Sequence, residues 1–89
     1  EYEILIQNFD DEIEIDLGSS VELVITLTHF GEVITRPTYS ISCNQSGAIF
    51  DSLTYNGRVF IRFESAGEYY FTIEASGYGV SRTIKFIVA

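Results

Sequence analysis

Apolar and polar side chains alternate along most of this chain with a period of two residues. Such a period is the mark of strands that bury one face, whereas a helix repeats every three to four residues. The apolar positions of the clearest runs are Ile13, Ile15 and Leu17; Val21, Leu23, Ile25 and Leu27; Val59, Ile61 and Phe63; Tyr69, Phe71, Ile73 and Ala75; and Ile84, Phe86 and Val88. No segment carries a sustained helical stripe. The pattern therefore predicts a protein built only of strands.

Residues typical of turns separate these runs. Asn56-Gly57 gives the strongest hairpin signal, because both central positions of a type I′ turn need a positive φ. Further turns are expected at Gly18-Ser19, Ser46-Gly47, Ala66-Gly67 and residues 76–79. With these boundaries we predict about seven or eight strands, at residues 2–7, 11–17, 20–28, 38–43, 48–55, 58–64, 67–75 and 81–88.

Many short strands with turns every 8–12 residues are typical of a sandwich of two antiparallel sheets with Greek-key connections. A small closed barrel is the main alternative. Barrels that bind oligonucleotides carry basic or aromatic faces, however, and this chain has few basic residues. The 89 residues allow one domain, 1–89, and contain no internal repeat or linker. We expect this domain to be one module of a longer protein.

Three stretches carry a resemblance to a known family. Residues 16–23 (DLGSSVEL), 66–73 (AGEYYFTI) and 83–88 (TIKFIV) are similar to the second, sixth and closing strands of bacterial immunoglobulin-like domains. Those domains occur in surface adhesins, secreted enzymes and phage structural proteins. The resemblance implies an immunoglobulin-like sandwich and gives Tyr69 the role of a tyrosine corner. The chain departs from the family pattern in having no tryptophan, whose place Tyr39 or Ile41 can fill.

The charge of the chain limits its partners. Thirteen acids and five bases give a formal net charge of −8, and the five bases never adjoin one another. Binding to a phosphate backbone or an anionic membrane needs clustered cations. We therefore expect no nucleic-acid partner and no insertion into a membrane.

An enzymatic reaction site is not expected in so small a chain. His29 is the only histidine and lies in a predicted turn, while Cys43 is the only cysteine and ends a predicted strand as a buried, inert thiol. A lone cysteine also excludes a disulfide within the chain. The apolar side chains are needed for the core, which leaves few to line a substrate pocket. We expect no catalytic residues and no organic cofactor.

The acidic run Asp10-Asp11-Glu12, preceded by Asn8 and Phe9, is the candidate metal site. Adjacent oxygen ligands in a loop can hold calcium, although the spacing differs from known calcium loops. The alternative is a solvated, turn-forming acidic stretch.

Three aromatic residues are candidate ligand-binding residues. Tyr78 lies between two glycines at the predicted tip of the last hairpin, and Phe60 and Tyr70 project from predicted outer faces. Exposed aromatic rings anchor many sugar and protein contacts. The alternative is that they cover sheet edges or pack against an adjacent module.

These observations predict a non-catalytic module that serves as a spacer or weak adhesion domain. Its expected partners are the adjacent domains of the parent chain and a cell-surface glycan or protein. Its expected place is extracellular, at a cell surface or in a phage virion. The alternatives are a carbohydrate-binding sandwich appended to a secreted hydrolase and a domain that adds a strand to a partner's sheet edge.

Overall fold

The computed structural model describes residues 1–7, 10–51 and 53–89, and these form nine strands and no helix. The strands are β1 (Tyr2–Ile6), β2 (Glu12–Ile15), β3 (Ser20–His29), β4 (Glu32–Val33), β5 (Tyr39–Cys43), β6 (Ala48–Phe50), β7 (Arg58–Phe63), β8 (Gly67–Ala75) and β9 (Val80–Val88). Eight of them lie where the alternation predicts a strand. β4 was not predicted, because two residues are too few to show a period.

The strands pair into two sheets. One has the order β1-β3-β7-β6, with β4 paired to β3, and the other has the order β2-β9-β8-β5. Without β2 and β4, this is the immunoglobulin arrangement, in which strands A, B, E and D form one sheet and C, F and G the other. The predicted immunoglobulin-like sandwich is therefore confirmed.

One pairing differs from the predicted antiparallel sheets. β2 pairs with β9 in parallel, from Glu12 opposite Lys85 to Ile15 opposite Val88. β1 belongs to one sheet and β2 to the other. The two strands run in the same direction along the sandwich. This crossing over a short loop places β2 beside the last strand without a reversal of direction.

The core lies between the two sheets and follows the predicted alternation. In β8 the residues at alternate positions from Tyr69 to Ala75 are at most 1% exposed, and Ile61, Ile84 and Phe86 are fully buried. Phe63, Phe71 and Phe86 meet one another at ring-centroid distances of 5.3–6.1 Å. Tyr39 is 8% exposed and belongs to the core, and Ile41, two residues further along β5, packs against it. Leu17 is an exception to the prediction, because β2 ends at Ile15 and Leu17, in the following turn, is 47% exposed.

Tyr69 forms the predicted tyrosine corner. Its ring is fully buried, and its hydroxyl donates a hydrogen bond to the Ser65 carbonyl at 2.7 Å. The Ser65 hydroxyl lies 2.8 Å from the Tyr69 hydroxyl oxygen. Gly47 packs directly over this group, since a Cβ atom there would lie 2.5 Å from the Tyr69 hydroxyl. The corner therefore fixes the turn before β8 against the connection between β5 and β6.

The predicted hairpin at Asn56-Gly57 is wrong in its register. β6 ends at Phe50, and Phe50 pairs with Ile61, so the connection to β7 is longer than two residues. Leu53 explains the difference, because its side chain is 5% exposed and draws the connection into the core. Gly57 has a φ of 76°, and a Cβ atom there would lie 2.1 Å from the Ile25 carbonyl oxygen, so the backbone approaches β3 too closely for any other residue.

The two-residue hairpin occurs instead at Phe30-Gly31. His29 pairs with Glu32 across it, and the φ angles of Phe30 and Gly31 are 51° and 84°. Positive φ at both central positions is the requirement of a type I′ turn. Asparagine is the usual first central residue of this turn, and phenylalanine is unfavourable there. Residue preferences therefore do not predict a type I′ turn at Phe30-Gly31.

Candidate functional site

One end of the sandwich, which we call the loop end, collects four connections. These are the Phe30-Gly31 turn, residues 34–38, residues 53–57 and the turn at residues 76–79. A backbone hydrogen bond from the Ser76 amide to the Thr38 carbonyl at 2.8 Å joins two of them, and one from the Ile34 amide to the Leu27 carbonyl at 2.8 Å fixes residues 34–38 to β3. The opposite end, which we call the corner end, contains the tyrosine corner and the turns at residues 16–19 and 44–47.

A row of four aromatic rings crosses the loop end. The ring of Tyr78 lies 4.9 Å from that of Tyr2, Tyr2 lies 4.3 Å from His29, and His29 lies 4.5 Å from Phe30. The rings are tilted or perpendicular to their neighbours, the geometry that aromatic pairs prefer. The row therefore ties the start of β1, the end of β3 and the last turn together.

Phe30 is the exposed end of this row. It is 81% exposed, and its φ of 51° lies in the left-handed region. That conformation costs a residue with a Cβ atom about 1–2 kcal/mol. Strained residues of this kind concentrate at binding surfaces.

A groove lies beside Arg36, between residues 34–38 and 53–57. Arg36 has a φ of 54° immediately before Pro37, and its guanidinium carbon lies 4.5 Å from the centroid of the Tyr55 ring. The groove has a volume of about 430 Å³ and is lined by Arg36, Pro37, Thr38, Tyr39, Leu53, Thr54 and Tyr55. None of these lining residues carries a carboxylate. Phe30 and Arg36 are the two non-glycine residues with positive φ in the described part of the chain, and both belong to the loop end.

Tyr39 lies in the floor of this groove. Burial raises the pKa of its phenol above the ordinary value, and a hydrogen bond with the Leu27 backbone partly offsets that effect. The phenol is therefore neutral at physiological pH. Tyr39 thus adds no charge to the groove.

The three aromatic residues predicted to bind a ligand lie on three different surfaces. Tyr78 is at the loop end, partly buried against Tyr2. Phe60 is 64% exposed on the outer face of the sheet that contains β3, and Tyr70 is 40% exposed on the outer face of the other sheet. The structure does not bring them together, so they cannot form one site.

Phe60 lies beside a shallow groove of about 200 Å³. Ile49, Phe50 and Arg62 are among the residues that line it, and Ile49 is 45% exposed. On the neighbouring strand Glu22 forms an ion pair with Arg58 at 3.4 Å. This face is mixed in character, with single apolar side chains between charged ones, as on an ordinary protein surface.

Tyr70 is held in a small ion-pair cluster. Lys85 lies opposite it in the sheet, with its ammonium 5.7 Å from the ring centroid, 3.5 Å from Glu68 and 4.0 Å from Glu12. Burial alone would lower the pKa of this ammonium, but the two carboxylates and the tyrosine outweigh that effect and raise the pKa. These contacts fix Tyr70 on the outer face of its sheet, and its role in ligand binding stays a prediction.

The acidic run does not gather its carboxylates. Asp11 accepts two hydrogen bonds from Arg82, at 2.6 and 2.9 Å, and Glu12 points along the outer face of β2 toward Lys85. Among the described residues no group of three His, Cys, Asp or Glu side chains is placed to hold a metal ion. Asn8 and Phe9 lie outside the described residues, so calcium binding by Asp10, Asp11 and Glu12 stays a prediction.

Arg82 has a structural role that the sequence did not reveal. Besides Asp11, it donates a hydrogen bond at 2.9 Å to the carbonyl of Ile4 in β1. One side chain of β9 thus holds both flanks of the crossing from β1 to β2. The residues are 71 and 78 positions apart in the chain, and the alternation gives no sign of such a pairing.

His29 and Cys43 do not form a reaction site. The Nδ1 atom of His29 is buried and has no hydrogen-bond partner within the described residues, because the ring packs between Tyr2 and Phe30. Cys43 is partly buried, and its thiol lies 3.8 Å from the Asn44 side-chain oxygen. Within residues 1–7, 10–51 and 53–89, neither side chain meets a nucleophile and an acid in the arrangement that covalent catalysis needs.

The structure also bears on membranes. Over residues 1–7, 10–51 and 53–89 no helix is long and apolar enough to span a bilayer.

Comparisons with known proteins show the fold. No protein-family model matches the chain, and no curated protein matches it. Among solved structures, the chain is similar to one described as the crystal structure of the S-layer protein SbsC domains 4 and 5, with a TM-score of 0.71 and 11% sequence identity. The match covers 98% of this chain and 47% of that chain, so our chain spans about half of that structure. At this identity the likeness establishes the architecture and nothing further.

The groove at the loop end was missed by sequence reasoning. Arg36 falls between the predicted strands at residues 20–28 and 38–43, and Tyr55 ends the predicted strand at residues 48–55. The Arg36-Pro37 pair was the one signal in the sequence, because a proline restricts the backbone angles of the residue before it. It marks Arg36 as a position whose backbone conformation is unusual. What the sequence could not show is that residues 53–57 fold back against this pair.

Proposed function

We propose that the chain is a non-catalytic module of a cell-surface protein and that it acts as a spacer between neighbouring domains. The observation that carries the proposal is the placement of the two termini at opposite ends of the sandwich. Its partners are then the adjacent domains of the parent chain.

The contacts of the first and last residues define this geometry. At the loop end the Phe30 amide hydrogen-bonds the Glu1 carbonyl at 3.4 Å, and Tyr2 packs against Tyr78. At the corner end Ala89 accepts a hydrogen bond from the Leu17 amide at 2.8 Å and donates one to Ile15 at 3.2 Å. The molecule measures 37 × 21 × 18 Å, so the chain advances along the longest dimension.

The use of the apolar side chains supports a role without catalysis. The inward-facing aliphatic and aromatic residues of both sheets form the core, and the grooves on the described surface are open and shallow. The likeness in fold to an S-layer protein domain supports a place on a cell surface more directly than a place in a virion. The formal net charge of −8 on this chain favours solubility and makes neighbouring copies repel one another.

Small-angle scattering of two copies joined directly, Ala89 to Glu1, tests the proposal. A spacer arrangement predicts a maximum dimension about twice the 37 Å of one copy, with each copy folded independently. A matched chain with a ten-residue Gly/Ser linker between the copies should give a broader distribution of distances. Copies that fold back side by side, with a maximum dimension near that of one copy, would contradict the spacer role.

A second candidate function is weak adhesion, and the groove at the loop end favours it. The groove is concave and polar at its rim, and it contains an exposed tyrosine and an arginine. A module repeated along a surface protein gains from a weak contact, because each further copy binds at a raised effective concentration.

A further inference from the structure

We infer that the groove between residues 34–38 and 53–57 is a binding site for saccharides that carry a carboxylate, such as uronic acids. The inference deepens the adhesion role proposed above, since it names the site and the class of ligand. It does not depend on the spacer role.

The groove is built as a floor with a rim. Pro37, Tyr39 and Leu53 are buried and form its floor, while Thr38 and Thr54 are exposed and place their hydroxyls at its rim. A sugar ring has an apolar C–H side and a circle of hydroxyls. It therefore fits an apolar floor bordered by hydroxyl groups, whereas a purely apolar ligand would leave those groups without partners.

Tyr55 and Arg36 complete the rim. Tyr55 is 56% exposed, so part of its ring is available for a sugar to stack on. The guanidinium of Arg36 lies over this ring at 4.5 Å, which limits its motion while leaving N–H donors for a ligand. A planar guanidinium pairs with a carboxylate through two parallel hydrogen bonds.

The local charge of the groove contrasts with that of the whole chain. The protein has thirteen acids and five bases, yet Arg36 is the one charged residue among those that line the groove. Arg58, Arg82 and Lys85 each pair with a carboxylate, while Arg36 and Arg62 have no ion pair in the described part of the chain, and of these two only Arg36 lines this groove. A site that excludes acids and keeps an arginine unpaired selects a ligand that brings its own carboxylate.

The backbone of Arg36 gives a further reason. Its φ of 54° places a non-glycine residue in the left-handed region directly before a proline, which is an unfavourable combination. Residues held in this way cluster at ligand clamps, because the surrounding structure must maintain them for a purpose other than stability. In this conformation the guanidinium carbon of Arg36 lies 4.5 Å from the centroid of the Tyr55 ring.

The volume of about 430 Å³ lies in the lower part of the range for pockets that hold small ligands. The site therefore accommodates one or two sugar units of a longer chain. With one charged contact and one stacking contact in an open groove, we expect a dissociation constant on the order of 1 mM for one module.

Backbone-amide NMR of the full chain, titrated with oligogalacturonic acid, tests the inference. We expect shifts concentrated at Arg36, Thr38, Thr54 and Tyr55, and weaker binding as salt is raised. The neutral galactose oligomer of the same length should bind at least about tenfold more weakly, since it lacks the carboxylates.

Two variants and one matched control sharpen the test. Arg36→Gln and Tyr55→Ala should each weaken binding about tenfold. Arg62→Gln should leave it unchanged, because Arg62 is an exposed arginine on the outer face of a sheet and not part of the groove. If Tyr55→Ala perturbs the loop, Tyr55→Phe keeps the ring and should retain binding.

Three outcomes would overturn the inference. They are equal binding of the neutral oligomer, an undiminished affinity in Arg36→Gln, and equally tight binding at the same residues by a glutamate-rich peptide, which would make the groove a site for acidic peptides. None of them would affect the scattering of the two joined copies, so failure of the sugar site and failure of the spacer role are distinguishable.

Discussion

The two ends of the sandwich are closed in opposite ways. At the corner end, the connections bond to buried groups, since Tyr69 is fully buried and its hydroxyl meets both the carbonyl and the hydroxyl of Ser65. At the loop end, Pro37 and Leu53 are buried, but Phe30 and Arg36 are exposed and adopt left-handed conformations. Close packing explains the positive φ of Gly47 at the corner end and of Gly57 at the loop end, whereas the strain of Phe30 and Arg36 brings no gain in burial.

This difference indicates a division of work within one small domain. Positive φ at Gly47 serves the packing of the tyrosine corner, because no side chain fits above the Tyr69 hydroxyl. Positive φ at Gly31 and Phe30 serves only the course of the hairpin, since a Cβ atom at Gly31 would meet nothing within 4 Å. The packing around the Tyr69 hydroxyl thus stabilises the corner end, whereas Phe30 and Arg36 are strained and exposed and leave a surface free to bind at the loop end.

The largest effect is expected from a matched pair of glycine substitutions. Gly47→Ala should lower the free energy of unfolding by about 3 kcal/mol, through the left-handed strain and the loss of the Tyr69 hydrogen bond. Gly31→Ala shares the strain but not the clash, so we expect a loss of about 1 kcal/mol. Urea denaturation measures both. Equal losses would show that the corner end is no more tightly packed than the loop end.

The next effect separates the two kinds of tyrosine. Tyr69→Phe leaves the Ser65 carbonyl without its buried donor, and we expect a loss of about 1.5 kcal/mol. Tyr55→Phe removes an exposed hydroxyl and should change stability by less than about 0.5 kcal/mol. Thermal unfolding followed by circular dichroism gives the comparison. A similar loss in both variants would contradict the role of the tyrosine corner.

A stabilising substitution is expected at the loop end. Asparagine adopts the left-handed conformation more readily than phenylalanine, and the Phe30 ring is 81% exposed, so Phe30→Asn should add about 0.5 kcal/mol of stability. Phe60→Asn changes an exposed ring within a strand and should cost about 0.5 kcal/mol. The two exchanges are chemically identical, so opposite signs in urea denaturation would confirm that the backbone of Phe30 is strained.

The smallest effect concerns the floor of the groove. Burial raises the pKa of Tyr39 in the folded state, so folding is unaffected below pH 10, where the phenol is protonated in both states. Above pH 10 the unfolded state loses the proton first, and stability falls as the pH rises. Urea midpoints at pH 9 and pH 11 should therefore fall less in Tyr39→Phe than in the unaltered chain. An equal fall would place the Tyr39 phenol in solvent.

The strands and the core could be predicted from the sequence because alternation is a local property. The alternation alone predicts the inward-facing residues of β7 and β8, and the resemblance to bacterial immunoglobulin-like domains implies the role of Tyr69. The exceptions have physical reasons. Leu17 continues the alternation beyond the end of its strand, and Leu53 leaves its strand to fill the core.

The surfaces could not be predicted in the same way. Asn56-Gly57 has the composition of a type I′ turn, but the chain places that turn at Phe30-Gly31, where tertiary contacts override the local preference. Exposed aromatics such as Phe60 could be placed on outer faces, yet the sequence did not show that they lie on different surfaces. The groove depends on residues 34–38 meeting residues 53–57, and no local pattern reports that contact.

The parallel pairing of β2 with β9 bears on how the domain would respond to tension. Pulling on Glu1 and Ala89 draws β2 and β9 in opposite directions past each other. The backbone bonds between them are then sheared together, including those from the Lys85 amide to Asp11 and from the Leu17 amide to Ala89, both 2.8 Å long. Hydrogen bonds that are loaded at the same time must break together, whereas strands pulled apart from one end lose their hydrogen bonds one at a time. A module with this arrangement would resist stretching far better than its modest size suggests.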